Sequence, residues 1–253
     1  MIRSSVQAGR RMLQAETTGP LMEPLSSPLG AIVAGAPARR PEPTRLEGRH
    51  IAVVPFDVAR HGPALYAASH GAERDALWAY LSVGPFADEA SFMATYRGLA
   101  EKADPLLFAL VDPASGTAVG HATYMRIEPA QRVVEVGNIL FTPALARTPA
   151  ATEAMYLMAR HAFEDLGYRR YEWKCNALNA PSRRAAQRLG FTFEGEFRQH
   201  MIVKGRNRDT SWFSLLDSEW PRAKAAFEAW LAPENFDAHG RQKRRLEAIR
   251  DEL

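Results

Sequence analysis

Apolar and polar residues alternate along this chain in two rhythms, and the changes of rhythm mark its elements. In "RYEWKC" every second residue is apolar, with Tyr171, Trp173 and Cys175 set against Glu172 and Lys174, the period of a strand. From Thr148 to Leu166 the period lengthens. Ala151, Met155, Met158, Ala162 and Leu166 fall on one helical face, with Arg160, Glu164 and Asp165 elsewhere. Thr148-Pro149 reads as N-cap and first helical residue, because the first turn has no use for the amide that proline lacks. Gly167 supplies the stop.

The same reading orders the rest of the chain. "HIAVVPFD" is a strand, "GPALYAASHG" a helix, and "RDALWAYLSVGPFADEASFMATYRGLAEKA" helical segments broken at Gly84-Pro85. "PLLFALVD", "AVGHATYMRIE" and "VVEVGNILF" are strands joined by short turns, the pattern of an antiparallel meander. After the long helix and "RYEWKC" come a short helix, "APSRRAAQRLG", and a hairpin of "FTFEGEFRQHMIV" and "TSWFSLLD". A helix from Ser218 carries Ala223, Phe227, Trp230 and Leu231 on one face, ahead of the charged tail "GRQKRRLEAIRDEL". Strands outnumber helices around one central strand–helix–strand unit, which predicts an α/β domain on a mixed sheet. Residues 1–44, rich in Pro, Gly, Ser and Ala without a sustained period, are expected to form a disordered extension. A domain over 45–217 and a C-terminal helix and tail over 218–253 complete the expected organisation.

Composition narrows the classes. With 46% hydrophobic and 24% charged residues, the 253-residue chain has an ordinary globular make-up. Its one cysteine, Cys175, excludes an internal disulfide or a multi-cysteine metal site and reads as a small buried hydrophobe. No metal is expected. A net charge of +3 is too small to argue for nucleic acid, and the clusters "KGRNRD" and "RQKRR" read as solvated charge. No apolar run has the length to span a bilayer, and the residues after Arg10-Arg11 are too polar for an export signal. The protein is therefore expected in the cytoplasm. Nothing in the pattern decides the oligomeric state, a homodimer included.

One stretch carries a sharper signal. From Glu135 to Gly195, and above all in Asn179-Ala-Pro-Ser-Arg-Arg-Ala-Ala-x-x-Leu-Gly-Phe-x-x-Glu-Gly195, the chain resembles the GNAT superfamily of acyl-CoA N-acyltransferases. It is most similar to the Rim-type branch, the ribosomal-protein N-terminal acetyltransferases, and the element order agrees from Arg45 to Leu216. The resemblance implies a GNAT fold: a mixed, mostly antiparallel central sheet, helices on both faces, and central strands that splay to admit acetyl-CoA. It implies N-acetyl transfer to an amine, either a protein N-terminus or a small molecule, by direct attack.

The resemblance also assigns residues. The pyrophosphate-binding loop falls on Ala146 to Ala151, where Ala146 replaces the usual polar first residue and Pro149 the first glycine. Arg147 and the amides of Thr148, Ala150, Ala151 and Thr152 are left to hold phosphate, and the Thr148 hydroxyl either caps the helix or joins them. Amides of the splayed strand around Leu140 and Phe141 would hold the oxyanion. The family's usual tyrosine acid is replaced by Ala186, so Ser182 stands as candidate donor to the departing thiolate, or else as a helix-start residue. Asn179 is expected on the pantetheine amides, or as a turn residue. Glu135 is the candidate base, with a surface pair to Arg126 as the plain alternative. His121 and His200, both in strands, are titratable alternatives for the base or else structural or exposed residues, and Tyr124, Asn138 and Trp173 are further pocket candidates. The departures at Ala146, Pro149 and Ala186 leave open a catalytically silent acyl-CoA-binding or interaction module; a nucleic-acid-associated protein is the weaker alternative.

Overall fold

One open sheet organises the protein. The computed structural model describes residues 29–253. Its eight strands, in chain order, are β1 (Leu46–Glu47), β2 (Ala52–Pro55), β3 (Leu106–Val111), β4 (Ala118–Glu128), β5 (Val133–Phe141), β6 (Arg170–Asn176), β7 (Thr192–Val203) and β8 (Arg206–Leu216). They lie side by side in the order β1-β2-β3-β4-β5-β6-β8-β7. Every neighbouring pair is antiparallel except β5 and β6. A parallel pair needs a crossover, and α3 (Pro149–Arg160) provides it.

Helices cover both faces, as the resemblance implies. On one face, α1 (Val58–Ser69) and α2 (Glu89–Ala100) bury Leu65, Phe92 and Tyr96 against Ala52, Leu107 and Ala109. On the other, Met155 and Met158 of α3 pack with Phe108, Tyr124 and Val134. Phe227 and Trp230 of α5 (Trp220–Leu231) and Ile249 of α6 (Leu246–Glu252) belong to that same core. The C-terminal segment is thus part of the domain's interior rather than an appendage to it. β3 is buried at all its positions because it is covered twice, which is why its sequence runs apolar without alternation.

Local chemistry accounts for the α3 boundaries. Thr148 caps the helix, its Oγ1 accepting from the Ala151 amide at 3.2 Å, and Pro149 follows. The α-helix stops at Arg160, earlier than the apolar period suggests, and continues as a π-helical turn over His161–Asp165. There the His161 ring bonds Asp165 at 2.7 Å and the Leu166 amide donates to the His161 carbonyl at 3.0 Å. Gly167 then turns the chain at a φ of 79°.

The N-terminal side departs from expectation. Residues 36–253 form one compact unit, and residues 29–35 contain no helix or strand. Ala38 is buried, its amide bonds the Pro129 carbonyl at 3.0 Å, and the Arg39 amide bonds the Leu166 carbonyl at 2.8 Å. The expected boundary at residue 44 therefore falls inside a strap packed on the domain. The rest of the expected extension up to residue 28, with Arg10-Arg11, lies outside the described residues.

The strand expected over "HIAVVPFD" is also shortened, to β2, behind a turn pinned by one carboxylate. Glu153 on α3, itself buried, accepts from the amides of Arg49 (2.9 Å), His50 (2.6 Å) and Ile51 (3.1 Å). A Cβ on Gly48 would come within 2.6 Å of that carboxylate, so only glycine fits the turn. Removing the acceptor strands donors that each cost about 1–3 kcal/mol when buried unpaired. Glu153→Ala should therefore lower the unfolding free energy by about 2–4 kcal/mol in urea titrations, with an unchanged m-value. A loss under about 1 kcal/mol would show that water replaces the carboxylate.

Candidate active site

The site begins with one extra residue. Thr123 of β4 lies opposite Gly137 of β5, but His121 lies opposite Leu140, so two residues of β5, Asn138 and Ile139, face one of β4. This is a β-bulge, and Asn138 adopts a φ of 47° to make it. A bulge bends its strand away from regular pairing. Accordingly β5 and β6 pair only at Val133↔Arg170, Val134↔Tyr171 and Glu135↔Glu172, and beyond these residues the strands part. The gap is the splay that the resemblance implies.

A cavity opens on each side of the gap. The first, about 880 Å³, lies between the start of α3, α4 (Ala180–Arg188) and the C-terminal segment, with Phe141, Met155 and Trp173 as apolar lining. Its charged residues are Arg147, Arg184, Arg188 and Arg241 against Glu247 alone, the balance expected for a polyanion. The second, about 710 Å³, is lined by Glu135, Asn138, Ile139, Lys174, Asn179, Ser182, His200 and Arg208 among others. Trp173 and Pro181 line both. The two spaces adjoin at Trp173 of β6 and Pro181 of α4.

The expected phosphate loop lies at the mouth of the first cavity, with its donors partly committed. The Thr148 amide bonds the Leu145 carbonyl at 3.3 Å, and the Thr148 hydroxyl donates to that same carbonyl at 2.7 Å while capping Ala151. Thr148 is thus a cap whose hydroxyl proton is committed, on a residue that lines the cavity. Among the described residues the amides of Arg147 and Ala150 have no acceptor. Arg147 adopts a φ of 64°, a strained choice for a residue with a side chain and one characteristic of binding loops. Thr152 lines the cavity with its Oγ1 already accepting from Arg188 at 3.0 Å.

Arg184, Arg188 and Arg241 received no role from the sequence. The first two stand four residues apart on α4, the spacing of one helical face, and that was the available signal. Burial holds the Arg188 guanidinium below its ordinary pKa, and it stacks over Trp230 at 4.9 Å. Arg241 sits in the tail read as solvated charge; its position over the cavity depends on how the tail folds back, which no period encodes.

Ser182 lies at the junction. Its Oγ accepts from the Trp173 indole N–H at 3.0 Å, and Trp173 borders both cavities. Burial pushes the neighbouring Cys175 thiol up, against a smaller downward pull from the Ser182 hydroxyl. Asn179 serves as the N-cap of α4, its Oδ1 accepting from the Ser182 amide at 3.1 Å, and it faces the second cavity rather than the first. Ala186 is completely buried. Phe141 lines the first cavity, while the Leu140 side chain is buried in the α1–α2 face, so the backbone between them passes the junction.

Glu135 belongs to a buried charge cluster, not to a surface pair. Lys174 Nζ lies 2.8 Å from Glu135 and 3.0 Å from Glu172, and 3.8 Å from the Trp212 ring centre. Arg126 Nε stands 3.7 Å from each carboxylate. Burial pushes the Glu135 carboxyl above the ordinary carboxylate range, with Lys174 and Arg126 pulling it back and Glu172 adding to the push. Glu172 is held below that range: burial opposes this, but Arg170 and Lys174 outweigh it. Two adjacent carboxyls thus have opposite tendencies. His200 bonds Thr210 at 3.0 Å and is kept below its ordinary pKa by burial and by Arg208, Lys174 and Arg126. His121, fully buried against Tyr96, is pulled down to about 3 by burial and is structural; Tyr124 is a core residue bonded to the Met158 carbonyl. Among the described residues no helix is long and apolar enough to cross a membrane, and no group of His, Cys, Asp or Glu is arranged to hold a metal.

Comparison with known proteins agrees with this geometry. The family model described as an acetyltransferase (GNAT) domain matches residues 54–192. The structure of a GCN5-related N-acetyltransferase from Brucella melitensis is 50% identical, covers 86% of this chain and 98% of its own, and superposes with a TM-score of 0.84. One from Chromobacterium violaceum, described as a "probable" GNAT acetyltransferase, is 40% identical over 79% of this chain and 100% of its own, with a TM-score of 0.72. The Bacillus subtilis protein named "Putative ribosomal N-acetyltransferase YdaF" is 28% identical over 109 residues, 43% of this chain. That match spans 59% of the relative's length. The chain belongs to the GNAT acetyltransferase family, as an N-acetyltransferase.

Proposed function

We propose that this protein transfers the acetyl group of acetyl-CoA to a primary amine, the cosubstrate lying in the first cavity and the acceptor in the second. The meeting of an arginine-lined cavity and a carboxylate-bearing cavity at Trp173 and Pro181 carries this reading. Four arginines against one glutamate suit a ligand bearing several phosphates, with the free amides of Arg147 and Ala150 at the helix start as further donors.

Direct attack needs a neutral amine. Glu135, raised toward neutrality by burial, accepts the ammonium proton directly or through water. The amide edge of β5 near Leu140 and Phe141 stabilises the oxyanion as the N–C bond forms. As the C–S bond breaks, Ser182 donates to the departing thiolate, and Trp173 fixes the hydroxyl by occupying its acceptor side. The Glu135–Lys174 pair holds the base in place, and its burial is the reason the carboxyl is tuned rather than ordinary.

Two measurements test this. Reversing charge at Arg147 or Arg184 should weaken CoA binding about 10- to 100-fold by calorimetry at fixed salt, the equivalent of one charge-assisted hydrogen bond of about 1.5–3 kcal/mol. Unchanged affinity in both variants would remove the phosphates from this cavity. Ser182→Ala should lower kcat about 100-fold while CoA affinity and Tm change little, since the interaction strengthens only as charge reaches sulfur. Full turnover would reduce Ser182 to a helix-start residue, and a joint collapse of binding and stability would make it structural.

A further inference from the structure

The charges of the second cavity do not balance, and the imbalance sits on one residue. The carboxylates Glu135 and Glu172 are matched by Lys174 and Arg126, at 2.8 to 3.7 Å. Arg208 on β8 is matched by nothing. Its Nε is buried without a hydrogen-bond partner, and among the described residues no carboxylate lies within ion-pair distance of its guanidinium. Yet Arg208 lines the cavity beside His200, Thr210 and Met201. A half-buried guanidinium with an unmet donor is unfavourable unless something meets it, and its planar fork suits carboxylate or phosphate oxygens. Its partner on β7 is Met201, Thr210 already bonds His200, and the carboxylate of Asp209, next on β8, accepts instead from the Gln199 amide and the Asn207 side chain.

The register gives a length scale. Cys175, which lies against Ser182, pairs with Ser211 of β8, and Arg208 stands three residues further along that strand. Three strand residues span about 10 Å, from which the reach of the arginine stem is subtracted.

We propose that Arg208 anchors an anionic group of the acceptor, so that preferred acceptors are amines carrying a carboxylate or phosphate several bonds from the nitrogen. This rests on the acceptor occupying the second cavity. Diamines are disfavoured by the same unbalanced cation, which meets their second ammonium with like charge.

The test is an acceptor series with acetyl-CoA, following free thiol. It runs ω-amino carboxylates and aminoalkyl phosphates of graded length against alkylamines and terminal diamines of the same lengths. An anionic series should exceed its neutral and dicationic counterparts by about tenfold or more in kcat/KM. The carboxylate and phosphate arms identify which anion is read. Arg208→Gln should abolish the preference, chiefly through KM, with Tm unchanged, and Arg208→Lys should keep part of it because charge remains without the fork. Equal or better use of neutral amines or diamines, or a preference that survives in Arg208→Gln, overturns the proposal. If no amine releases thiol, the transfer reading itself fails. Calorimetry of the same amines on CoA-loaded protein then decides the anchor separately: binding of the anionic amines that disappears in Arg208→Gln supports it, and binding indifferent to the anion or to the substitution overturns it.

Discussion

Everything at this site depends on the failure of two parallel strands to stay together. β5 and β6 are hydrogen-bonded neighbours up to Glu135 and Glu172, and then they separate. The cause is local. One extra residue in β5 opposite β4, taken up by Asn138 in a left-handed conformation, redirects the end of the strand. A sheet that zipped shut would bury the edge of β6 that lies between the cavities. With the sheet open, Trp173 borders both spaces and holds Ser182 at their junction.

The two cavities are electrically different, and the difference follows from what encloses them. The first is walled by helix starts and a folded-back tail, which bring arginines and free amides to one place. The second is walled by strands that carry Glu135, Lys174 and Arg126, with Glu172 paired to both cations. Burying Glu135, Glu172 and Lys174 is tolerable only because they pair within 4 Å of one another, with the exposed Arg126 beside them, and losing one partner of a buried pair costs about 3–5 kcal/mol. The cluster fixes the position of Glu135, the carboxyl proposed to take the amine's proton.

Legibility in the sequence followed the range of the interaction concerned. Caps and periods are local, so the Thr148-Pro149 start, the alternation of β6 and the α/β layout are all visible in the residues. The change from α3 to a π-helical turn was not, because the Leu166 amide–His161 carbonyl bond and the His161–Asp165 contact that accompanies it leave the apolar period unchanged. Nor was the strap at Ala38, whose sequence has no period and whose order comes from carbonyls of Pro129 and Leu166 far along the chain. At the site, Glu135 was identifiable as a strand carboxylate, but its burial with Lys174 rests on a strand pairing. Arg184 and Arg188 announced themselves only as two basic positions on a short helix, and Arg241 only as part of a basic run. Thr148 and Asn179 were ambiguous between cap and ligand; in the structure each caps a helix and also lines a cavity.

The most direct measurement is a crystal structure of the protein with CoA. The pyrophosphate is expected against Arg147 and the Ala150 amide, and the sulfur in the gap between the end of β5 and the Trp173–Ser182 pair. A complex whose sulfur lies away from that gap, or whose phosphates lie away from the start of α3, would contradict this placement.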